Sequence, residues 1–159
     1  MYFDALSFLE DDRDAWTPFE QLATLTDEQL ADVVPDMHGW SGRDLIAHMV
    51  GWQEVALAVA RELAVNDTSP RKEHEDADWK ARGDVINDEL NDLWRALPMD
   101  EVRRRLTTVP GELRGYLTVV PETRWIKNPA MLKFFLNETV EHYQDHVADL
   151  QAVLAAAGR

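Results

Sequence analysis

The sequence predicts an all-α fold: a four-helix bundle with one or two short extra helices in the connections. Three observations predict it. Apolar residues recur at three- and four-residue steps through most of the chain, the mark of helices packed on helices. No stretch alternates apolar and polar residues as a half-buried strand does. Helix starts are signposted by Thr26 with Gln29, Ser41 with Asp44, and Asn128 with Pro129. Residues 1–159 are therefore expected to form a single domain of four long antiparallel helices without a sheet.

The elements follow in order. Residues 2–25 read as a first helix, with Phe3, Leu6, Leu9, Trp16, Phe19, Leu22 and Ala23 near one face. Pro18 either kinks it or follows a Thr17 cap with Glu20 closing the box; the kink is preferred. The Thr26 box starts a short helix that ends before Pro35. Ser41 opens the second long helix, whose stripe is Leu45, Met49, Trp52, Ala56, Val59 and Leu63 and which fades near Val65. Gly51 inside it costs about 1 kcal/mol relative to Ala, which suits close approach of a neighbour. Residues 66–78 are polar and turn-rich and read as an exposed loop. A helix runs from Trp79 to about Ala96 and stops at Pro98. Val102, Leu106, Val109, Leu113, Tyr116 and Val120 keep phase across Pro110, so residues 99–120 read as one helix kinked there. The last helix runs from Asn128 to Ala157 without interruption, with Leu132, Leu136, Tyr143, Val147, Leu150 and Leu154 as its stripe and Gly158 at its stop.

Composition narrows the function. Sixteen basic and thirty acidic side chains leave a net charge of −14, which argues against nucleic acid or an anionic membrane as partner. The short run Arg103-Arg104-Arg105 reads as a solvated helix face. There is no cysteine, so thiolate ligands, disulfides and a protein thiol nucleophile are excluded. The N-terminus turns acidic at once, and no apolar run approaches membrane-spanning length. The expected location is cytoplasmic.

The chemistry concentrates on histidine. His142 and His146 lie four apart on the last helix, about 40° around its axis and about 6 Å along it. Two imidazoles so placed reach one ion. They share a sector with Phe135 and Val153 and so border a buried stripe. His48 borders the stripe of the second long helix beside Trp52 and Val55. A third imidazole from a facing helix makes a three-ligand site with an open position, as in catalytic zinc. The opposing reading is that each is a core histidine whose nitrogens are hydrogen-bonded. Glu138 stands one turn before His142 as a weak candidate for ligand or general base. Asp145 and Asp149 are candidates to support an imidazole N–H, Asp149 the better placed. His38 and His74 fall in connections without a role, and Trp40, Trp52, Trp79, Trp94 and Trp125 read as core or pocket walls.

Two segments carry a family resemblance. Residues 39–52, Gly-Trp-Ser-Gly-Arg-Asp-Leu-Ile-Ala-His-Met-Val-Gly-Trp, and residues 141–150, Glu-His-Tyr-Gln-Asp-His-Val-Ala-Asp-Leu, resemble the ligand segments of the DinB-like superfamily. That superfamily of four-helix bundles includes the mycothiol-dependent maleylpyruvate isomerases. The resemblance covers nearly the whole chain, most weakly in the middle. It implies a divalent metal, zinc or nickel, on His48, His142 and His146. In the thiol-dependent isomerases the position matching His142 is a glutamate; this chain has the all-histidine form of many DinB-like proteins. The expectation is one DinB-like domain without the additional C-terminal domain of the full isomerases.

The first functional reading is thus a metal-binding transferase or isomerase that uses a low-molecular-weight thiol cofactor on a small electrophilic substrate. The second is a metal-dependent hydrolase with water at the open position. The third is a non-enzymatic bundle that binds metal or a small ligand. A homodimer is the assembly considered.

Overall fold

The computed structural model describes residues 2–35 and 37–159. Along them run α1 (Ala5–Trp16), α2 (Asp27–Ala31), α3 (Gly42–Val65), α4 (Pro70–Arg82), α5 (Val85–Arg95), α6 (Met99–Leu117), α7 (Pro129–Glu138), α8 (Val140–Asp145) and α9 (Val147–Ala156), with 3₁₀ segments at Thr17–Thr24 and Glu122–Arg124. The fold is all-helical. Among the described residues the only extended pairing is an isolated bridge between Val33 and Ser41, and no helix is long and apolar enough to cross a membrane.

Helix α3 is the centre of the bundle. It packs on α6, α5, α4, α2, α7 and α9, and the whole predicted stripe from Leu45 to Leu63 is buried. Ile46, Ala47, Val50, Val55, Leu57 and Ala60 are buried as well, so it is wrapped on most sides rather than along one face. Its start is tightly fixed. Ser41 and Asp44 form the expected capping box. Arg95 Nε donates to Asp44 Oδ1 at 2.8 Å, while Arg43 donates to the carbonyls of Trp94, Arg95 and Leu97 at the end of α5. These carbonyls lie at and just beyond the last turn of α5, where helical partners run out, so the exchange locks the end of α5 to the start of α3. Gly51 allows α5 to close in: a Cβ there would lie 2.6 Å from Leu90 Cδ2.

The N-terminal helix corrects the predicted face. Phe3 and Leu6 are exposed, and the buried line is Phe8, Asp12 and Trp16, continued by Phe19 and Leu22. A carboxylate stands at a core position, which hid the true stripe. Asp12 is 1% exposed and accepts from Arg114 Nη1 of α6 at 3.0 Å. Burial still pushes its pKa up against that guanidinium. At Pro18 the chain tightens into 3₁₀ geometry rather than restarting: Thr17 is helical and its Oγ1 donates back to the Arg13 carbonyl at 2.9 Å. The Thr26 capping box is formed as expected.

Three further expectations fail. Most of the stretch read as a loop over residues 66–78 is α4, opened by the Ser69 cap with Pro70 in its first turn. None of its residues is buried, so it lacks the apolar stripe that reveals a helix. It is held by ion pairs one turn apart, Arg71–Glu75, Lys72–Asp76 and Arg82–Asp78. Gly83, at φ 55°, ends it, so the helix expected over 79–96 is two helices. Next, Arg103 and Arg105 are not a solvated face. Arg103 donates to the carbonyls of Ala23 and Leu25 and pairs with Asp27, and Arg105 pairs with Glu54 and Glu101 over the Trp94 ring. Finally, the last helix is not continuous. It leaves helical geometry at Thr139 (φ −132°, ψ −103°) and at His146 (φ −104°, ψ 11°). By contrast α6 crosses Pro110 as one helix.

Candidate metal centre

His48 comes from the second turn of α3, His142 from α8, and His146 is the residue that joins α8 to α9. The structure brings the three together. The Nε2 atoms of His142 and His48 lie 2.9 Å apart, and those of His48 and His146 lie 3.1 Å apart. One nitrogen from each ring falls within 4.8 Å of the other two. Hydrogen bonding alone does not account for this. A neutral His48 has at most one N–H at Nε2, yet that atom faces two ring nitrogens. Two nitrogens each about 2.0–2.1 Å from a shared ion sit about 2.9 Å apart at a right angle and about 3.4 Å apart at the tetrahedral angle. The observed spacings suit one ion.

Electrostatics keeps the lone pairs free. The pKa of His48 falls to about 3 through burial and then through repulsion from His142 and His146. That of His142 also falls to about 3, through burial and then His146. Both rings are neutral at pH 7. The Nδ1 of His146 lies 2.7 Å from Asp149 Oδ2, one turn on. A proton on Nδ1 donates to that carboxylate and leaves the Nε2 lone pair turned towards His48. The Nδ1 atoms of His48 and His142 are buried without a partner among the described residues. Trp40, from the connection before α3, packs its ring on His48 and stacks within 17° of parallel on His146, at centroid distances of 5.0 and 6.4 Å.

The position of α8 is set from inside the core. Tyr143, 1% exposed, accepts from Gln53 Nε2 of α3 at 2.7 Å. Burial together with the Asp12 charge pushes the pKa of its phenol well above the ordinary value. His48 and Gln53 share α3, and His142 and Tyr143 share α8. This bond therefore helps set the separation of the two imidazoles.

A cleft of about 670 Å³ reaches the cluster, lined by His48 and His142 together with side chains of α3, α4, α5, α7 and α8. Glu138 stands on its wall and has no hydrogen-bond partner among the described residues; burial, then Glu75 and Asp76, raise its pKa to about 8. Trp52 and Trp79, both on its wall, meet edge to face. Trp94 and Trp125 are core. Asp145 lines the cleft, and Asp149 supports His146 as its spacing suggested. Sequence reasoning missed the wall supplied by Lys72, Glu75, Asp76 and Asn87. The usable signal was the Ser69-Pro70 start and the oppositely charged pairs four apart that follow it.

The profile of the mycothiol maleylpyruvate isomerase N-terminal domain matches residues 13–146, from α1 to the third histidine. The chain belongs to this family. The match confirms the resemblance read from residues 39–52 and 141–150, and it spans all three histidines. No curated protein and no solved structure matches the chain.

Proposed function

We propose that this chain is a cytoplasmic divalent-metal-dependent enzyme. It transfers a low-molecular-weight thiol to a small electrophilic substrate, or isomerises the substrate through such an adduct. The convergence of three imidazole nitrogens at a 670 Å³ cleft carries this reading, with the family match as its second support. His48, His142 and His146 would hold the ion, and three imidazoles suit zinc or nickel. A divalent ion there would supply a Lewis acid that lowers the pKa of a coordinating thiol. The absence of cysteine means that no thiol of the chain competes for it. Asp149 keeps the His146 proton on Nδ1, Trp40 covers the rings of His48 and His146, and the cleft admits substrate.

A metal-dependent hydrolase is the second reading. It draws on Glu138, a carboxylate without a partner on the cleft wall, as the base for water. Cobalt-substituted protein separates the two. On the first reading a cysteinyl thiol such as mycothiol shifts the ligand-field spectrum, and a thiol panel with a generic electrophile then gives turnover. A spectrum indifferent to every thiol but responsive to hydroxide or phosphate refutes the thiol reading in favour of the hydrolase.

A further inference from the structure

The walls of the cleft differ in charge from what an anionic electrophile requires. Five carboxylates line it, on Glu75, Asp76, Glu138, Glu141 and Asp145, against two ammonium groups, on Lys72 and Lys133, and no guanidinium. Lys72 is already engaged: it pairs with Asp76 at 2.5 Å and lies over the Phe134 ring. Glu138, Glu141 and Asp145 have no ion pair among the described residues. A carboxylate-bearing substrate entering here meets like charge with no arginine to receive it.

Two aromatic rings add an independent feature. Trp52 and Trp79 form a corner on the same wall, ring centroids 5.7 Å apart and planes at 80°. Asn87 Oδ1 accepts from Trp52 Nε1 at 2.9 Å, which fixes that indole. Trp79 remains 46% exposed on a helix that buries no residue of its own. An exposed indole set at right angles to a fixed one, beside unpaired carboxylates, is the chemistry that receives an alkylammonium group. The cleft also reaches the histidine cluster, since His48 and His142 are among its walls.

We propose that the cleft selects substrates bearing a cationic, alkylammonium-type group, held between the Trp52–Trp79 corner and the Glu138 carboxylate, and rejects carboxylate-bearing electrophiles. This deepens the enzymatic reading, because it takes the cleft as the substrate site. Its test uses no thiol chemistry, so the two can fail separately.

Choline, its uncharged isostere 3,3-dimethylbutan-1-ol, and 3-hydroxypropanesulfonate are titrated at pH 9, above the value of about 8 at which Glu138 gives up its proton, by tryptophan fluorescence into the full chain, both zinc-loaded and metal-stripped. All three carry the same hydroxyl, so any shared contact with the ion cancels in the comparison. The expected result in both forms is choline binding at least about tenfold tighter than the isostere, with no saturable binding of the sulfonate. Trp79→Ala and Glu138→Gln each bring choline to within about threefold of the isostere. Trp79 is exposed, so its loss leaves the fold intact. Absent choline binding, equal affinity for the isostere, or tighter binding of the sulfonate overturns the proposal. Choline selectivity in a protein whose cobalt spectrum ignores every thiol overturns the thiol reading alone.

Discussion

Replacing Asp149 tests the metal centre without touching a ligand. Its Oδ2 lies 2.7 Å from His146 Nδ1, and both side chains are partly exposed. Loss of a carboxylate that orients a ligating imidazole typically costs about 10–100-fold in metal affinity, or about 1.4–2.7 kcal/mol. Asp149→Ala should therefore weaken zinc binding by that factor in competition with a chromophoric chelator. Asp149 also lies in the first turn of α9, where a negative charge contributes about 0.3–1 kcal/mol to stability. Asp149→Asn separates the two effects. It loses the charge, and with it the same stability as the alanine variant, but keeps an oxygen that can accept from Nδ1–H. Its zinc affinity should fall between those of the parent and Asp149→Ala. An alanine variant that binds zinc within about twofold of the parent refutes the orienting role, and so does an asparagine variant as weak as the alanine one.

His48→Ala, His142→Ala and His146→Ala should each abolish stoichiometric metal in the purified protein, a greater loss than the about 100-fold bound for a supporting residue, while circular dichroism stays helical. Glu138, whose pKa rises to about 8 in the folded chain, binds a proton that the unfolded chain releases above its ordinary value of 4.5. It therefore makes the metal-free protein lose stability as pH rises from about 4.5 to about 8, by up to about 1.4 kcal/mol per pH unit. Urea denaturation across pH 5–9 should show this dependence reduced in Glu138→Gln. Arg114→Met leaves the buried Asp12 carboxylate without its cation, which costs about 3–5 kcal/mol; thermal denaturation should show a drop of about 6–20 °C for a chain of this size.

The parts of the fold that were legible in the sequence announce themselves locally. The stripe from Leu45 to Leu63 and the Ser41–Asp44 box needed no tertiary information, since periodicity and capping act within a few residues. The first helix was misphased because Asp12 is a core residue only by virtue of Arg114, 102 positions away. Helix α4 was missed for the opposite reason. Charge pairs and a cap hold it, and its contribution is the outer wall of the cleft. Among candidate site residues, His142, His146 and Asp149 were visible through their three- and four-residue spacing, and His48 through its place beside a buried stripe in a segment that resembles the family. Lys72, Glu75, Asp76 and Asn87 were not, since they join the site only after α4 and α5 fold against α3 and α7.

The interruptions of the last helix are where periodicity was bound to mislead, and they flank the histidines. Thr139 is fully buried, and its Oγ1 donates to the Phe135 carbonyl at 2.6 Å while its own carbonyl accepts from Tyr143 at 2.8 Å. The hydroxyl bond supports the carbonyl end of α7 where the backbone departs from helix, so the break carries its own local compensation. Beyond it the stripe slips. Val147 is exposed, and Val140, Tyr143, Leu150 and Val153 are the buried residues. Tyr143 keeps its expected inward place and meets Gln53, while His142 meets His48. The second departure falls on His146 itself, whose N–H is shared between the carbonyls of His142 and Tyr143. Neither position is glycine or proline, so nothing in the local sequence marks them. A straight helix would keep the pair about 40° apart; with breaks on both sides of α8, core packing rather than helical repeat sets the angle at which the rings meet.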